Sequence, residues 1–310
     1  MLSAALLLLF ACDDGKTPAD DSSPVVDPAT VTLHGPCPLD LDYGGFTLTI
    51  GQESSTIDGA VADGVVPFAV LEQLMAEGDC VVLRRNNPFC DPACDRSQTC
   101  DFDGQCVDYP ANQDLGTVSM VGLARDAEMT PVFPGNTYFD TSLPHPAVQP
   151  GALVTLGMPG GVYGPATLYG VGVEALDLAP SWTLESGVDL EILWPAPTAS
   201  PTRSEVAIEL SIDQHGVTPS VLRCVFADDG AGTVPGAVVA TLVDVGVTGF
   251  PAGSIERRTV DSAPAGPGCM DLTVRSPRVA SVDVVGHTPC VTSNECPEGQ
   301  HCNEELQTCE

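Results

Sequence analysis

The chain has 310 residues, a net charge of -31 and a single lysine, Lys16, among its 11 basic residues. So acidic a balance excludes a nucleic-acid partner, because binding phosphates requires clustered cations. A hydrophobic content of 43% supplies material for real cores, while 28 Pro and 31 Gly against 9 Phe, 5 Tyr and 2 Trp point to many short strands joined by turns rather than to long helices.

Met1 to Phe10 form an almost continuous apolar run. It is shorter than the about 20 residues that span a bilayer and has the length of a signal-peptide apolar region. The run ends in Leu9-Phe10-Ala11-Cys12, which resembles the lipobox of bacterial lipoproteins. The resemblance implies that residues 1–11 are a signal peptide and that Cys12 is acylated and becomes the new N-terminus. Two or more acyl chains, at about 0.8 kcal/mol per buried methylene, hold a protein on a membrane where one does not. Asp13, directly after the cysteine, resembles an inner-membrane retention signal of some lipoprotein systems; inner and outer membrane stay open. Residues 12–30 carry Asp, Ser and Pro with nothing to bury and read as an acidic tether.

Residues 31–88 read as a β-rich domain. Alternation in Phe46-Thr47-Leu48-Thr49-Ile50 predicts a strand. In Val66-Pro67-Phe68-Ala69-Val70-Leu71-Glu72-Gln73-Leu74, Pro suits a first helical position, Val70, Leu71 and Leu74 share a face, and Gly78 can stop the element. The pattern predicts one or two helical turns capping a sheet.

The cysteines organise the rest. Setting Cys12 aside for lipid leaves 12 of 13, an even number that suits complete pairing in an oxidising compartment. Cys90, Cys94, Cys100 and Cys106 fall in residues 89–110, and Cys290, Cys296, Cys302 and Cys309 in residues 289–310. Each group is too small for a core and needs crosslinks. Zinc sites favour C-x2-C pairs, and the wider gaps here favour disulfides. Three pairings are open within each group; first-to-third with second-to-fourth is the expectation. Cys37 with Cys80 and Cys224 with Cys269 each bracket one β-rich segment, so Cys37–Cys80 and Cys224–Cys269 are expected. Asp91, Asp95, Asp101 and Asp103, beside Gly104, put hard oxygen ligands of the kind calcium prefers on a crosslinked loop. Asp-Gly is equally ordinary turn chemistry.

Residues 111–187 read as a further β-rich domain with Tyr163, Tyr169 and Trp182 among Gly and Pro. Such aromatics stack on a sugar ring when exposed, although core or turn packing is their commoner role. In residues 188–288, alternation marks Val206 to Ile212, Val221 to Phe226 and Leu272 to Val274. Asp228-Asp229-Gly230 and Pro264-Ala265-Gly266-Pro267-Gly268 supply turns. Leu190-Glu191-Ile192-Leu193-Trp194-Pro195, leading to Val206, resembles the strand-Trp-strand opening of Ig-like or fibronectin-type surface domains. That implies a sandwich with Trp194 between its sheets. The last cysteine group resembles half of a Dickkopf-type N-terminal cysteine-rich region, and the short cysteine modules of bacterial surface proteins, which implies an extracellular module. The expected fold is therefore all-β: tandem small antiparallel β-sandwich domains with two disulfide-stapled four-cysteine modules.

Val66 to Leu74 also matches Val234-Pro235-Gly236-Ala237-Val238-Val239-Ala240-Thr241-Leu242. Each follows an Asp-Gly and precedes an Arg pair, Arg84-Arg85 or Arg257-Arg258. Tandem duplication would explain the order.

Chemistry is sparse. The five histidines, His34, His145, His215, His287 and His301, are scattered; no H-E-x-x-H, nucleophile elbow or phosphate-binding loop occurs. The leading expectation is a non-catalytic, lipid-anchored protein of the cell envelope, extracytoplasmic, that binds an envelope protein or glycan or serves envelope structure. A hydrolase with a dispersed active site is the alternative, to be recognised by a Ser or Cys within reach of a His in a cleft. A disulfide-stiffened peptidase inhibitor is a third reading.

Overall fold

A computed structural model of the chain describes residues 30–198, 203–212 and 220–310. The lipobox with Cys12, the tether to residue 29, and His215 lie outside the described residues.

The fold is all-β, as the turn-rich composition implies. The chain runs through β1 (Asp42–Ile50), β2 (Ser55–Val61), β3 (Leu71–Glu77), β4 (Cys80–Arg85), β5 (Gln98–Cys100) and β6 (Cys106–Asp108). Then follow β7 (Val118–Val121), β8 (Ala127–Met129), β9 (Tyr138–Asp140), β10 (Leu153–Met158), β11 (Ala166–Val171) and β12 (Ser181–Leu184). The second half holds β13 (Leu190–Leu193), β14 (Glu205–Ser211), β15 (Ser220–Ala227), β16 (Ala231–Val234), the helix α1 (Gly236–Val245), β17 (Ala252–Ala265) and β18 (Gly268–Val284), with β19 (Cys302–Asn303) and β20 (Thr308–Cys309) at the end.

One ten-stranded sheet organises the molecule: nine strands run in the order β3-β4-β15-β14-β17-β18-β1-β2-β9, and the tenth, β12, joins at β18 off this path. Its axis is the β17–β18 hairpin, which stays in register from Ala252↔Ser281 to Ala265↔Gly268. At about 3.3 Å per residue the 17 residues of β18 run for more than 50 Å, long enough to serve two cores. Along β18 the inward positions Met270, Leu272 and Val274 enter one core, and Ala280, Val282 and Val284 the other.

The first core is a sandwich. Phe46, Leu48 and Ile57 of the large sheet pack toward Val118, Leu156 and Leu168 of a four-stranded sheet, β11-β10-β7-β8. The second core sets Ile208, Leu210 and Leu222 against Trp182, Ile192, Trp194 and Val238, contributed by β12, the β13–β16 pair and α1. The Trp that the 190–195 pattern placed between layers is buried there, its ring 6.0 Å from Phe226.

The strand exchange between cores overturns the division of the chain at residues 31–88, 111–187 and 188–288. From 31–88, β1 and β2 serve the first core while β3 and β4 extend the sheet at the far end, where β4 pairs with β15. Strand β12 leaves the 111–187 segment to pair in parallel with the C-terminal part of β18. Long-range pairing of this kind leaves no mark in local periodicity.

The helical expectation at Val66 to Leu74 fails for a related reason. Only Pro67–Ala69 form a helical turn, and Leu71–Glu77 are strand β3, which turns back through Gly78 (φ 59) to pair with β4. Its presumed repeat, Val234 to Leu242, does become helix, as α1 after Pro235, and packs on β3, β4 and β15. Two similar stretches thus adopt different structures according to what they meet, and the structure lends the duplication no support.

The disulfides correct the expected long-range pairs. Cys37 bonds Cys269, and Cys80 bonds Cys224; neither Cys37–Cys80 nor Cys224–Cys269 forms. The physical reason is register. Cys80 and Cys224 lie opposite one another in the β4–β15 ladder, and the strand that follows Cys37 runs parallel to β18 from Cys269 onward. Within the modules the first-to-third and second-to-fourth pattern holds: Cys90–Cys100 with Cys94–Cys106, and Cys290–Cys302 with Cys296–Cys309. Each module carries one two-stranded ladder, β5–β6 or β19–β20. Six disulfides mark a protein of an oxidising, extracytoplasmic compartment, and no described helix is long and apolar enough to cross a membrane.

Candidate functional site

Residues 30–41 form a strap without regular strand pairing that precedes β1. Four attachments among the described residues hold it to the central hairpin: the Cys37–Cys269 disulfide, the Cys37 amide donating to both oxygens of Asp271 at 3.0 and 3.2 Å, the Cys269 amide donating to the Leu41 carbonyl at 2.8 Å, and a double contact from His34 to Asp261. Beta strand geometry explains why they meet here. The ladder from β14 to β17 ends at Arg258, so the stretch from Thr259 to Ala265 has β18 on one side only. The strap and β11 gather at the open side.

Asp261 is 2% exposed. It accepts the His34 amide (3.0 Å) and the His34 Nδ1–H (2.8 Å) at one oxygen, and the Tyr169 amide (2.8 Å) at the other. A buried carboxylate needs such donors to offset its desolvation. With Nδ1–H engaged by Asp261, the neutral form of this ring, whose side chain is 63% exposed, has Nε2 as an acceptor of fixed orientation. Beside it lies a groove of about 530 Å³, lined by Thr30, Thr32 and His34 of the strap, Thr167 and Tyr169 of β11, and Asp261 to Pro264 of β17. The volume falls in the range of small-molecule sites.

Behind the strap, Asp271 has its carboxyl pushed up to about 6. Burial is the main cause; Asp42 and Asp261 push in the same direction, while the Cys37 amide and Arg258 oppose. The close approach that buries it depends on a glycine: a Cβ at Gly45 of β1 would collide with the Asp271 backbone carbonyl.

Of the residues marked in the sequence, Tyr169 and His34 reach this groove, whereas Trp182 is core. Tyr163 donates to the Ala62 carbonyl and packs on the first core. Asp261 and Asp271 were not anticipated. The available signal was parity: Asp261 and Arg257 share the inward positions of β17 with Ile255, and an ionisable residue at an inward position calls for a partner.

The four aspartates of the first module do not converge. Among the described residues, sets of three potential ligands within 4.8 Å of one another are Cys90, Cys94 and Cys106; Cys290, Cys296 and Cys309; and Cys37, Cys269 and Asp271. All are built on disulfide sulfurs, which are not thiolate ligands. Asp101 instead closes a turn, accepting the amides of Asp103 and Gln105 at one oxygen. The turn chemistry of Asp-Gly therefore accounts for this loop.

Among the described residues, one Ser–His pair is in hydrogen-bond reach, Ser55 Oγ 2.9 Å from His145 Nδ1. Ser55 is 1% exposed and its oxygen also accepts the Ala147 amide. A nucleophile must reach its substrate, so this pair is a clamp for the turn at Pro146. His287 Nε2 bonds the Gly249 carbonyl at 2.8 Å, tying the last module to the loop before β17.

No family model matches the chain, and no curated protein matches it. Solved structures with some similarity include the FN1–FN3 domains of chicken CNTN1, at 8% identity over 72% of this chain and 69% of that one, with a TM-score of 0.19. Another is a tetra-tandem repeat in the extending region of a large adhesion protein, at 13% identity over 80% and 76%, TM-score 0.16. A third is a 1.5-MDa bacterial ice-binding adhesin, at 13% identity over 81% and 99%, TM-score 0.14. At such TM-scores the similarity assigns neither a topology nor a ligand to this chain.

Proposed function

We propose that this chain is a lipid-anchored, non-catalytic binding protein of a bacterial cell envelope, tethered through Cys12, with its recognition site in the strap groove. The observation that carries the reading is the strap itself. The segment that follows the lipobox and tether enters the fold by crosslinking to the central strand at Cys269, and in doing so it forms one wall of the groove. A load on the anchor would then pass covalently into β18, the strand that serves both cores, without opening the ladder.

The anchor is tested by producing the full chain in a bacterium with lipoprotein processing and feeding an alkyne-tagged palmitate. The expected result is label and membrane association for the wild type, with both lost in Cys12→Ser. An unlabelled wild-type chain, or a mature N-terminus lacking Cys12, refutes the anchor.

A further inference from the structure

We infer that the strap groove takes a neutral saccharide. The inference rests on the reading of this groove as the binding site and specifies its ligand class. Although the chain carries -31 overall, the ionisable groups lining the groove are His34, Tyr169 and Asp261. No Lys or Arg lines it, so an anion would meet Asp261 with no counter-charge among the lining residues. A cation fares little better, because the oxygens of Asp261 are already occupied by the two His34 donors and the Tyr169 amide and the carboxylate is turned away from solvent.

What remains are groups suited to a polyol. Thr32, Thr167 and Ser262 present hydroxyls, each able to donate and accept. Such groups match sugar hydroxyls, which also do both. His34 adds a directional acceptor at Nε2, held by Asp261 as described. Tyr169 supplies an amphipathic ring, apolar on its face and polar at its tip, which suits the C–H face of a pyranose.

The competing occupant is an extended peptide added to the open edge of β17. Pro264 removes a main-chain donor from that edge, which blunts strand addition and does not hinder a saccharide.

The test is calorimetric titration of the purified full-length protein, disulfides intact, in a detergent without a sugar headgroup. The probes are maltotriose, cellotriose, triacetylchitotriose, trigalacturonate and an uncharged decapeptide of alternating Thr and Val. Binding of at least one neutral trisaccharide but not of trigalacturonate is expected. His34→Ala and Tyr169→Ala should each weaken it by about tenfold, the effect of one well-made contact. Thr167→Val should do so by less; Thr167 is exposed, so this variant leaves the fold intact if the others do not. Saccharide binding unaffected by all three variants places the ligand elsewhere and overturns the inference. Binding of the decapeptide alone, sensitive to His34→Ala, overturns the saccharide but keeps the groove. Silence from every probe overturns the saccharide and removes the groove from the proposed function, while the anchor stands on its separate labelling experiment.

Discussion

Two places on β17 and β18 bury carboxylates, and they do so in opposite ways. At the seam between the cores, Asp228 is clasped by Arg257, which donates from Nε at 2.6 Å and from Nη2 at 3.0 Å, and it also accepts from Trp194 Nε1 at 3.0 Å and Ser204 Oγ. The guanidinium also donates from Nη1 to the Glu174 carbonyl and from Nη2 to the Pro195 carbonyl. Arg257 is 1% exposed. At the strap, Asp261 and Asp271 have amides and a histidine in place of an arginine of their own, and Asp271 is left with a raised pKa. The seam is a closed, charge-paired network between rigid layers, of the kind that fixes one arrangement. The strap corner is under-compensated and open to solvent on one side, which is where binding sites and pH-sensitive groups are found.

Opening the seam should be the most damaging single change. Arg257→Leu leaves Asp228 buried without its counter-charge and should destabilise the protein by about 3–5 kcal/mol, read as a loss in urea-unfolding free energy. If the loss is below about 1 kcal/mol, the seam is not the rigid element described. Next in size is the strap crosslink. Replacing Cys37 and Cys269 together by Ser removes a link across 232 residues and should cost about 2–4 kcal/mol. It should also raise amide exchange in residues 30–41 ahead of the rest of the chain, whereas Arg257→Leu should loosen both cores together.

These contrasts also show how much of the molecule could be read from sequence. The alternation at Phe46 to Ile50, Val206 to Ile212 and Val221 to Phe226 marks strands that are present in β1, β14 and β15, because inward and outward positions alternate wherever one face is buried. The turns at Asp228 to Gly230 and Gly266-Pro267 separate the strands they were expected to separate. The short-range disulfides were legible since compact groups have few partners to choose from. The long-range ones were not, because which strand lies beside which depends on contacts more than a hundred residues apart. The groove suffered the same limit: His34 and Asp261 are 227 residues apart, and neither belongs to a motif.

Asp271→Asn tests the strap from the other direction. With its folded pKa raised from 3.8 to about 6, the carboxyl contributes most to stability when protonated. That contribution is fully present below about pH 4 and lost as pH rises through 6. Asn keeps an acceptor for the Cys37 amide and carries no charge. The variant should therefore match the wild type at pH 4 and exceed it at pH 7.5. The full shift would be worth about 3 kcal/mol, and because the group is only partly buried, solvent screening reduces the expectation to about 1–2 kcal/mol. Thermal melts at the two pH values decide it; a variant less stable at pH 7.5 would mean that the charge of Asp271 is compensated after all.

The smallest expected effect is the most informative about function. His34→Gln removes an imidazole that is largely in water, while Asp261 keeps the amides of His34 and Tyr169. Because the buried carboxylate loses one donor of three and keeps two amides, the expected cost is about 1 kcal/mol of stability. If the ring were there to hold the strap, its loss would register in amide exchange of residues 30–36 as strongly as in any binding assay. If it is there to present Nε2 to the groove, stability and exchange should barely change while affinity for a neutral trisaccharide falls by about tenfold, because Gln offers no acceptor held in that direction by Asp261. A substitution that is nearly silent in folding and loud in binding is the signature that separates the strap corner from the seam, where stability and structure cannot be changed apart.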